Sequence, residues 1–158
     1  MIQPIAFLLR WVLALLMSLL VISITWQVVS RYALGEPSLW TEEFARFAMI
    51  WLGVLGASYA YVIKAHLALE LFPTSDPRWA KRRESFSHGV VLIFALSVMC
   101  FGGGRLVLLT WNLNQLSPAL GLPMALVYAV VPLSGGLMTI FCLHGLVIAQ
   151  DMAGETHD

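Results

Sequence analysis

Four long uncharged segments dominate this chain and limit the folds open to it. They cover residues 11–30, 47–63, 85–104 and 106–150, and His144 is the only group in the last segment that titrates near neutral pH. A helix crosses a bilayer with about 20 apolar residues at about 1.5 Å rise each. The last segment therefore suffices for one crossing and a preceding loop. We predict an all-α integral membrane protein with four helices.

The overall composition agrees with a membrane location. Of the 158 residues, 59% are hydrophobic and 11% are charged, with a mean hydropathy of +0.83, whereas a soluble domain is roughly 25% charged. We predict one integral membrane domain over residues 1–158, with helices at about 5–32, 38–63, 77–112 and 124–150. The first apolar segment exceeds the usual signal-peptide core of about 7–15 residues and ends at Arg31, so we expect it to be a helix.

The basic residues indicate the orientation in the membrane. Five of them lie between the second and third apolar segments: Lys64, Arg78, Lys81, Arg82 and Arg83. The positive-inside rule then places this connection and both termini in the cytoplasm, and the connections near Gly35 and Ser117 on the other side. Residues 66–72 form an amphipathic segment that we expect to lie in the interface. Anionic lipids and topology account for the basic residues, so we expect no nucleic acid partner.

Three charged residues lie at the start of the second helix. Glu42 and Glu43 precede Arg46 by four and three residues, so either can pair with it on the helix surface. A charge near hydrocarbon costs a few kcal/mol or more unless it is paired or reaches water, which makes such residues functional candidates. We expect one carboxylate to hold Arg46 and the other to cap the helix or contact a partner. Ser38 or Thr41 is the expected N-cap.

The rest of the second helix is suited to packing. Aromatic residues recur at helical spacing on one face, namely Trp40, Phe44, Phe47 and Trp51. Small residues recur four apart in two pairs, Gly53 with Ala57 and Gly56 with Ala60. Such pairs let another membrane helix approach closely. We therefore interpret this helix as an association surface within the chain or between subunits.

Two features of the later helices have alternative interpretations. The run Gly102–Gly104 is either a close-packing notch or a hinge, and Pro132 with Gly135 and Gly136 is expected to kink the last helix. His88 and His144 are expected near the cytoplasmic ends of adjacent helices, where two imidazoles can ligate a haem b in a respiratory membrane anchor. Interfacial or hydrogen-bonded histidines are the simpler interpretation.

Catalytic chemistry is not indicated anywhere in the chain. There is no phosphate-binding loop, HExxH motif or paired CxxC motif, and no Asp, Glu or Lys in the middle of an apolar segment. We expect neither an enzyme nor a bound cofactor or metal, and no transport by this chain alone. Cys100 and Cys142 are expected at different depths, as apolar side chains and not as a disulfide.

One stretch resembles a known family. Its residues are Arg31, Gly35, Pro37, Trp40, Thr41, Glu42, Glu43, Ala45, Arg46, Gly53, Gly56, His66, Leu67, Leu69 and Glu70. This pattern is similar to the small membrane subunit, of DctQ type, in tripartite ATP-independent periplasmic (TRAP) transporters. Four helices and Pro132 extend the resemblance over nearly the whole chain. Glu70 stands where many relatives have Asp, which retains the acid.

The resemblance implies a scaffold or anchor subunit of a heteromeric secondary transporter in the bacterial inner membrane. A large multi-helix permease subunit is then expected to carry the substrate and sodium sites, and a periplasmic solute-binding protein to deliver an organic anion such as a C4-dicarboxylate or sialic acid. Membrane lipids are the remaining partners. The structural or subunit-interface candidates are Arg31, Trp40, Glu42, Glu43, Arg46, Trp51, Gly53, Gly56, His66 and Glu70.

Two other classes remain open from the sequence. One is the haem b-binding membrane anchor, which needs His88 and His144 as ligands. The other is a small multidrug-type exporter, which resembles this chain in having four helices but carries a titrating acid inside its first helix. This chain has no acid there.

Overall fold

The computed structural model describes residues 2–36, 38–71 and 88–154, and the side chains of 3–36, 38–63 and 88–145. Four helices in it are long and apolar enough to cross a membrane: Gln3–Leu34, Leu39–Ile63, His88–Asn112 and Met124–Gly145. The described part contains no β-strand, only one isolated bridge between Leu116 and Pro123. The predicted all-α, four-helix class is confirmed.

Helix α1 covers Ile2–Val29 and continues as a π-helical turn, Ser30–Leu34. It ends at Gly35, whose φ of 73° is a left-handed conformation that a residue with a Cβ adopts at a cost. Helix α2 covers Leu39–Leu71. It therefore runs past the predicted end at 63 and into the predicted amphipathic segment without a break.

Helix α3 is described from His88 to Asn112 and includes a π-helical stretch, Ala95–Gly102, followed by an α-helical end, Gly103–Asn112. Its predicted start near residue 77 lies outside the described residues. The fourth span consists of α4, Met124–Tyr128, and α5, Val130–Gly154.

The interruption at Ala129 is explained by a proline. Pro132 lacks an amide hydrogen, and its ring clashes with the carbonyl four residues earlier, that of Tyr128, in a continuous helix. The break lies at this point, between Tyr128 and Val130. The predicted disturbance near Pro132 is confirmed. Gly135 and Gly136 lie inside α5 without a further break.

The helices pack as a row in which α2 and α5 are central: α1 packs on α2, α2 on α5, and α5 on α3. The main core cluster lies where α1, α2 and α5 meet and consists of Leu9, Leu55, Val62, Val130 and Phe141. A smaller cluster of Leu20, Ala45 and Ala48 joins α1 to the first half of α2. Many large apolar side chains, such as Phe101 and Leu108, point outward, as expected for a surface that faces lipid.

Glycines bring α3 and α5 close together. A Cβ added to Gly103 would lie 2.8 Å from Val131 Cγ1, and one added to Gly135 would lie 2.7 Å from Met99 Cβ. Real Cβ atoms almost never come this close to another atom. Gly103 is therefore a close-packing notch, the first of the two interpretations of the Gly102–Gly104 run.

Candidate functional site: the connector end of the bundle

The short connections at residues 35–38 and 113–123 lie at one end of the bundle, which we term the connector end. Arg46 is held there by Glu42, with 3.2 Å between Nη2 and Oε1. The expected pair is therefore present. Both side chains are more than half exposed, at 66% and 55%, and an exposed helix pair of this kind contributes only about 0.3–0.5 kcal/mol. The pair orients the two charges more than it stabilises the fold.

Glu43 has a different partner, the backbone of the distant 113–123 connection. Its Oε2 accepts the N–H groups of Ala119 at 2.9 Å and Leu120 at 2.8 Å. Glu43 is 8% exposed although it is charged. Because its carboxylate accepts two backbone N–H groups, it can be kept at this position.

The connection that Glu43 holds is itself tightly folded. The amide of Ser117 donates to the Leu122 carbonyl at 2.9 Å, and that of Gly121 donates to the Ser117 carbonyl at 3.0 Å. Gly121 has a φ of 64°, a left-handed conformation. The turn directs successive amides toward one point, which is a typical anion-binding arrangement. Glu43 supplies the anion from the same chain, rather than capping its own helix.

The predicted hydroxyl caps of α2 are not formed. The Thr41 hydroxyl donates to the Ser38 carbonyl at 2.8 Å, and the Ser23 hydroxyl of α1 donates to the Thr41 carbonyl at 3.2 Å. Ser38 Oγ is buried and has no hydrogen-bond partner in the described part of the chain. The assignment of Ser38 or Thr41 as a capping side chain is therefore wrong.

Two buried serines join α2 and α5 within the bundle. The hydroxyls of Ser58 and Ser134 are 2.6 Å apart, and Ser134 also donates to the Val54 carbonyl at 3.0 Å. Both side chains are fully buried. A hydroxyl in hydrocarbon needs such a partner, and these bonds fix the two helices relative to each other. This pair was not predicted from the sequence, although a lone serine in each of the spans Leu39–Ile63 and Met124–Gly145 is a signal that points to it.

We expect Ser134→Ala to destabilise the bundle by about 0.6–1.7 kcal/mol, because measured hydrogen bonds between membrane helices fall in this range. The measurement is unfolding in mixed micelles with increasing denaturing detergent. A double-mutant cycle with Ser58→Ala isolates the contact between the hydroxyls. Ser97→Ala is the matched control, since that exposed hydroxyl bonds only its own helix, at Ile93. Equal effects of Ser97→Ala and Ser134→Ala would show that the helix-joining contact is unimportant.

A second polar cluster lies near the end of the bundle opposite to the connector end. The Tyr61 hydroxyl hydrogen-bonds Nδ1 of His88, with the two rings edge to face at 5.9 Å, and Cys142 Sγ donates to the same hydroxyl at 3.2 Å. The His88 ring also packs on Gly145. His88 is thus a buried, hydrogen-bonded packing residue, as in the simpler interpretation. The haem-anchor alternative receives no support. Both cysteines are free thiols.

One face of α2 is not covered by any other described part of the chain. Among the described residues, no atom lies within 4 Å of a Cβ built at Gly53 or Gly56. Gly53, Ala57 and Ala60 are exposed, one helical turn apart, below Arg46. These small residues, together with Arg46, are termed here the open face of α2. Among the described residues, no helix makes the close contact that their spacing predicts.

The remaining site candidates are distributed among packing and surface positions. Trp51 packs against the main core, whereas Trp40 and Arg31 are exposed at the connector end. Pro37 and the side chains of His66 and Glu70 lie outside the described residues.

The fold and its polar contacts define a class of protein. The chain is a multi-pass membrane protein in which several of the described polar side chains, such as Ser58, Ser134 and Glu43, join helices and connections. No group of three or more metal-ligating side chains occurs among the described residues. The family profile "Tripartite ATP-independent periplasmic transporters, DctQ component" matches residues 20–150. The chain belongs to this family, which is a transporter component and not an enzyme.

Three relatives have names that refer to TRAP transporters. The chain is 30% identical to the sialic acid TRAP transporter small permease protein SiaQ of Vibrio cholerae over 84 residues, 53% of this chain and 49% of the relative. It is 29% identical to the isethionate TRAP transporter permease protein DctMQ of Oleidesulfovibrio alaskensis over 138 residues, 84% of this chain and 21% of the relative. The ectoine TRAP transporter small permease protein TeaB of Halomonas elongata is 27% identical over 128 residues, 81% of this chain and 66% of the relative.

Proposed function

We propose that this chain is the small permease subunit of a sodium-coupled TRAP transporter in the bacterial inner membrane. It acts as a scaffold for a large multi-helix permease subunit, which carries the substrate and sodium sites. A periplasmic solute-binding protein delivers an organic anion, such as a C4-dicarboxylate or sialic acid, to the complex. The connector end faces the periplasm, in keeping with the basic residues between α2 and α3.

The observation that carries the scaffold role is the open face of α2. Small residues at Gly53, Ala57 and Ala60 expose the helix backbone, and no part of the described chain covers them. Close approach of a second helix at such residues is a main source of packing energy in membranes. The face is therefore suited to a helix of another subunit, and the large permease is the proposed owner of that helix.

The distribution of acids supports placing the ion and substrate sites in the partner. The acidic residues with described side chains are Glu36, Glu42 and Glu43, all at the connector end. Glu42 is paired with Arg46, and Glu43 is bonded to backbone amides. Ion-coupled transport uses titratable or ion-binding groups within the membrane. The described spans supply no such carboxylate in their middle part.

The relatives support a role that does not depend on the cargo. Their names refer to sialic acid, isethionate and ectoine, which are chemically different solutes. A subunit fold that is shared by transporters of different solutes is better suited to assembling the complex than to selecting the solute. In the relative named DctMQ, the matched region is 21% of a longer permease protein, which supports a position next to a larger permease unit.

We expect Gly53→Leu to reduce co-purification with the large permease subunit by at least about tenfold, because a leucine keeps the partner helix from approaching at this point. The fold of this chain should be retained, since the side chain enters open space. Gly104→Leu is the matched control, also at an open helical glycine. Equal complex yield for both variants would contradict the proposed interface.

The charged part of the open face is tested by a second pair of variants. Arg46→Ala is expected to weaken complex formation or solute uptake more than Arg10→Ala, because Arg10 lies on α1, away from the open face of α2, and its guanidinium packs over Phe7.

His66 and Glu70, one turn apart on α2, are proposed as a further contact at the cytoplasmic side. If His66→Ala and Glu70→Ala leave assembly and uptake unchanged, these two residues have no such role.

A further inference from the structure

A cleft of about 650 Å³ opens at the connector end, between the last turn of α1, the first turn of α2 and the 113–123 connection. Its lining is part aromatic and part polar. The residues that line it include the aromatic Trp26 and Trp40, the acidic Glu36, and the polar Ser30 and Ser38. Leu34 and Leu39, which also line it, are mostly exposed. The cleft therefore joins a polar recess to an apolar border.

The polar recess contains an unsatisfied group. Ser38 Oγ is buried and has no hydrogen-bond partner among the described residues. Leaving a buried hydroxyl without a partner is unfavourable, because the group has lost its hydrogen bonds to water. The neighbouring Ser30 hydroxyl is already engaged, since it donates to the Glu36 carbonyl at 2.5 Å. Ser38 lines the cleft, so a change of its side-chain rotamer can bring this unpaired hydroxyl to a molecule that occupies the cleft.

The charge of the cleft selects the kind of occupant. Glu36 is the one charged residue among those lining it, and none of the lining residues is basic. Tryptophan rings attract cations, above all when the cation is removed from bulk water. A cationic group is therefore favoured next to Glu36 and the two indoles, and a net anion is disfavoured.

We propose that this cleft binds the headgroup of a zwitterionic phospholipid with a primary ammonium, such as phosphatidylethanolamine. The ammonium lies between the Glu36 carboxylate and the indoles of Trp26 and Trp40. The Ser38 hydroxyl bonds the headgroup phosphate, and the exposed Leu34 and Leu39 border the acyl chains. Tryptophans at the depth of the membrane interface agree with this arrangement. The inference does not rest on the transport function proposed above.

The proposal is tested by native mass spectrometry of the full chain in detergent, titrated with phosphatidylethanolamine or with phosphatidylglycerol of the same acyl chains. Wild type is expected to bind the ethanolamine lipid more tightly. Glu36→Gln should weaken that binding about tenfold, the effect of losing one charge-assisted contact. Trp40→Leu should weaken it as well. Glu42→Gln is the matched control, because that exposed carboxylate lies outside the cleft lining.

Equal affinity for the two lipids, or unchanged binding in Glu36→Gln, would overturn the proposal. The proposal would also be overturned if the cleft binds a protein instead of a lipid. In that case Glu36→Gln abolishes docking of the solute-binding protein and leaves lipid binding unchanged. Circular dichroism of each variant verifies that the helices are retained. Glu36 is exposed, so its substitution is expected to leave the fold intact.

Discussion

Replacing Glu43 by alanine is expected to release the 113–123 connection and to lower the midpoint of thermal unfolding by roughly 5 °C or more. The variant removes the acceptor of the Ala119 and Leu120 amides. Hydrogen bonds to a charged acceptor are about twice as strong as those between neutral groups. Thermal unfolding in detergent measures the shift, and limited proteolysis at the connection reports its release.

Two variants make this test specific. Glu43→Gln retains an acceptor oxygen without the charge, so its effect should lie between those of wild type and Glu43→Ala. Glu42→Ala removes the adjacent carboxylate, which is exposed and contacts only Arg46, and should leave the midpoint nearly unchanged. If Glu42→Ala and Glu43→Ala lower the midpoint equally, the carboxylate does not hold the connection.

Gly135→Ala is expected to destabilise the bundle by about 1–3 kcal/mol, because overpacking forces the neighbouring atoms apart. The added Cβ would lie 2.7 Å from Met99 Cβ and 3.1 Å from the backbone nitrogen of Cys100. Neither atom is the free end of a flexible side chain, so α3 and α5 must separate. Gly103→Ala, facing Val131 and Pro132 across the same helix pair, should have a similar effect.

Neighbouring glycines provide the controls. No atom lies within 4 Å of a Cβ at Gly136 or Gly104 in the described part of the structure. Because alanine is a better helix former than glycine by about 1 kcal/mol, Gly136→Ala and Gly104→Ala should be neutral or stabilising. Detergent-titrated unfolding of the four variants gives the comparison. Loss of stability in all four would indicate a general intolerance of substitution and not a close helix contact.

The spans and the break near Pro132 were predictable because each depends on local sequence. An uncharged segment of sufficient length can satisfy its backbone in lipid only as a helix. A proline interrupts the helix one turn before itself in any context. The pair between Glu42 and Arg46 belongs to the same group, since residues four apart meet on any helix.

The partner of Glu43 was not predictable in this way. The carboxylate contacts amides 76 and 77 residues later, so the contact depends on how α2 and the 113–123 connection are placed in space. From the sequence, Glu43 had two local roles available, to pair with Arg46 or to cap α2. The structure adds that the charged side chain of Glu43 is buried, which the sequence did not indicate.

The glycines show a second limit of what the sequence predicts about helix packing. Small-residue spacing in α2 predicted a close contact with another helix, but among the described residues the closest contacts are at Gly103 and Gly135. Spacing identifies a helix face and does not specify which helix covers it. No described residue covers Gly53 or Gly56, and we propose that a helix of the large permease subunit does so.

The most direct test of the scaffold role is sodium-driven solute uptake by proteoliposomes. Vesicles containing this chain alone, with the solute-binding protein and a sodium gradient, are compared with vesicles that also contain the large permease subunit. We expect uptake at the level of empty vesicles for this chain alone and clear uptake for the complete set. Solute accumulation driven by this chain by itself would contradict the proposed function.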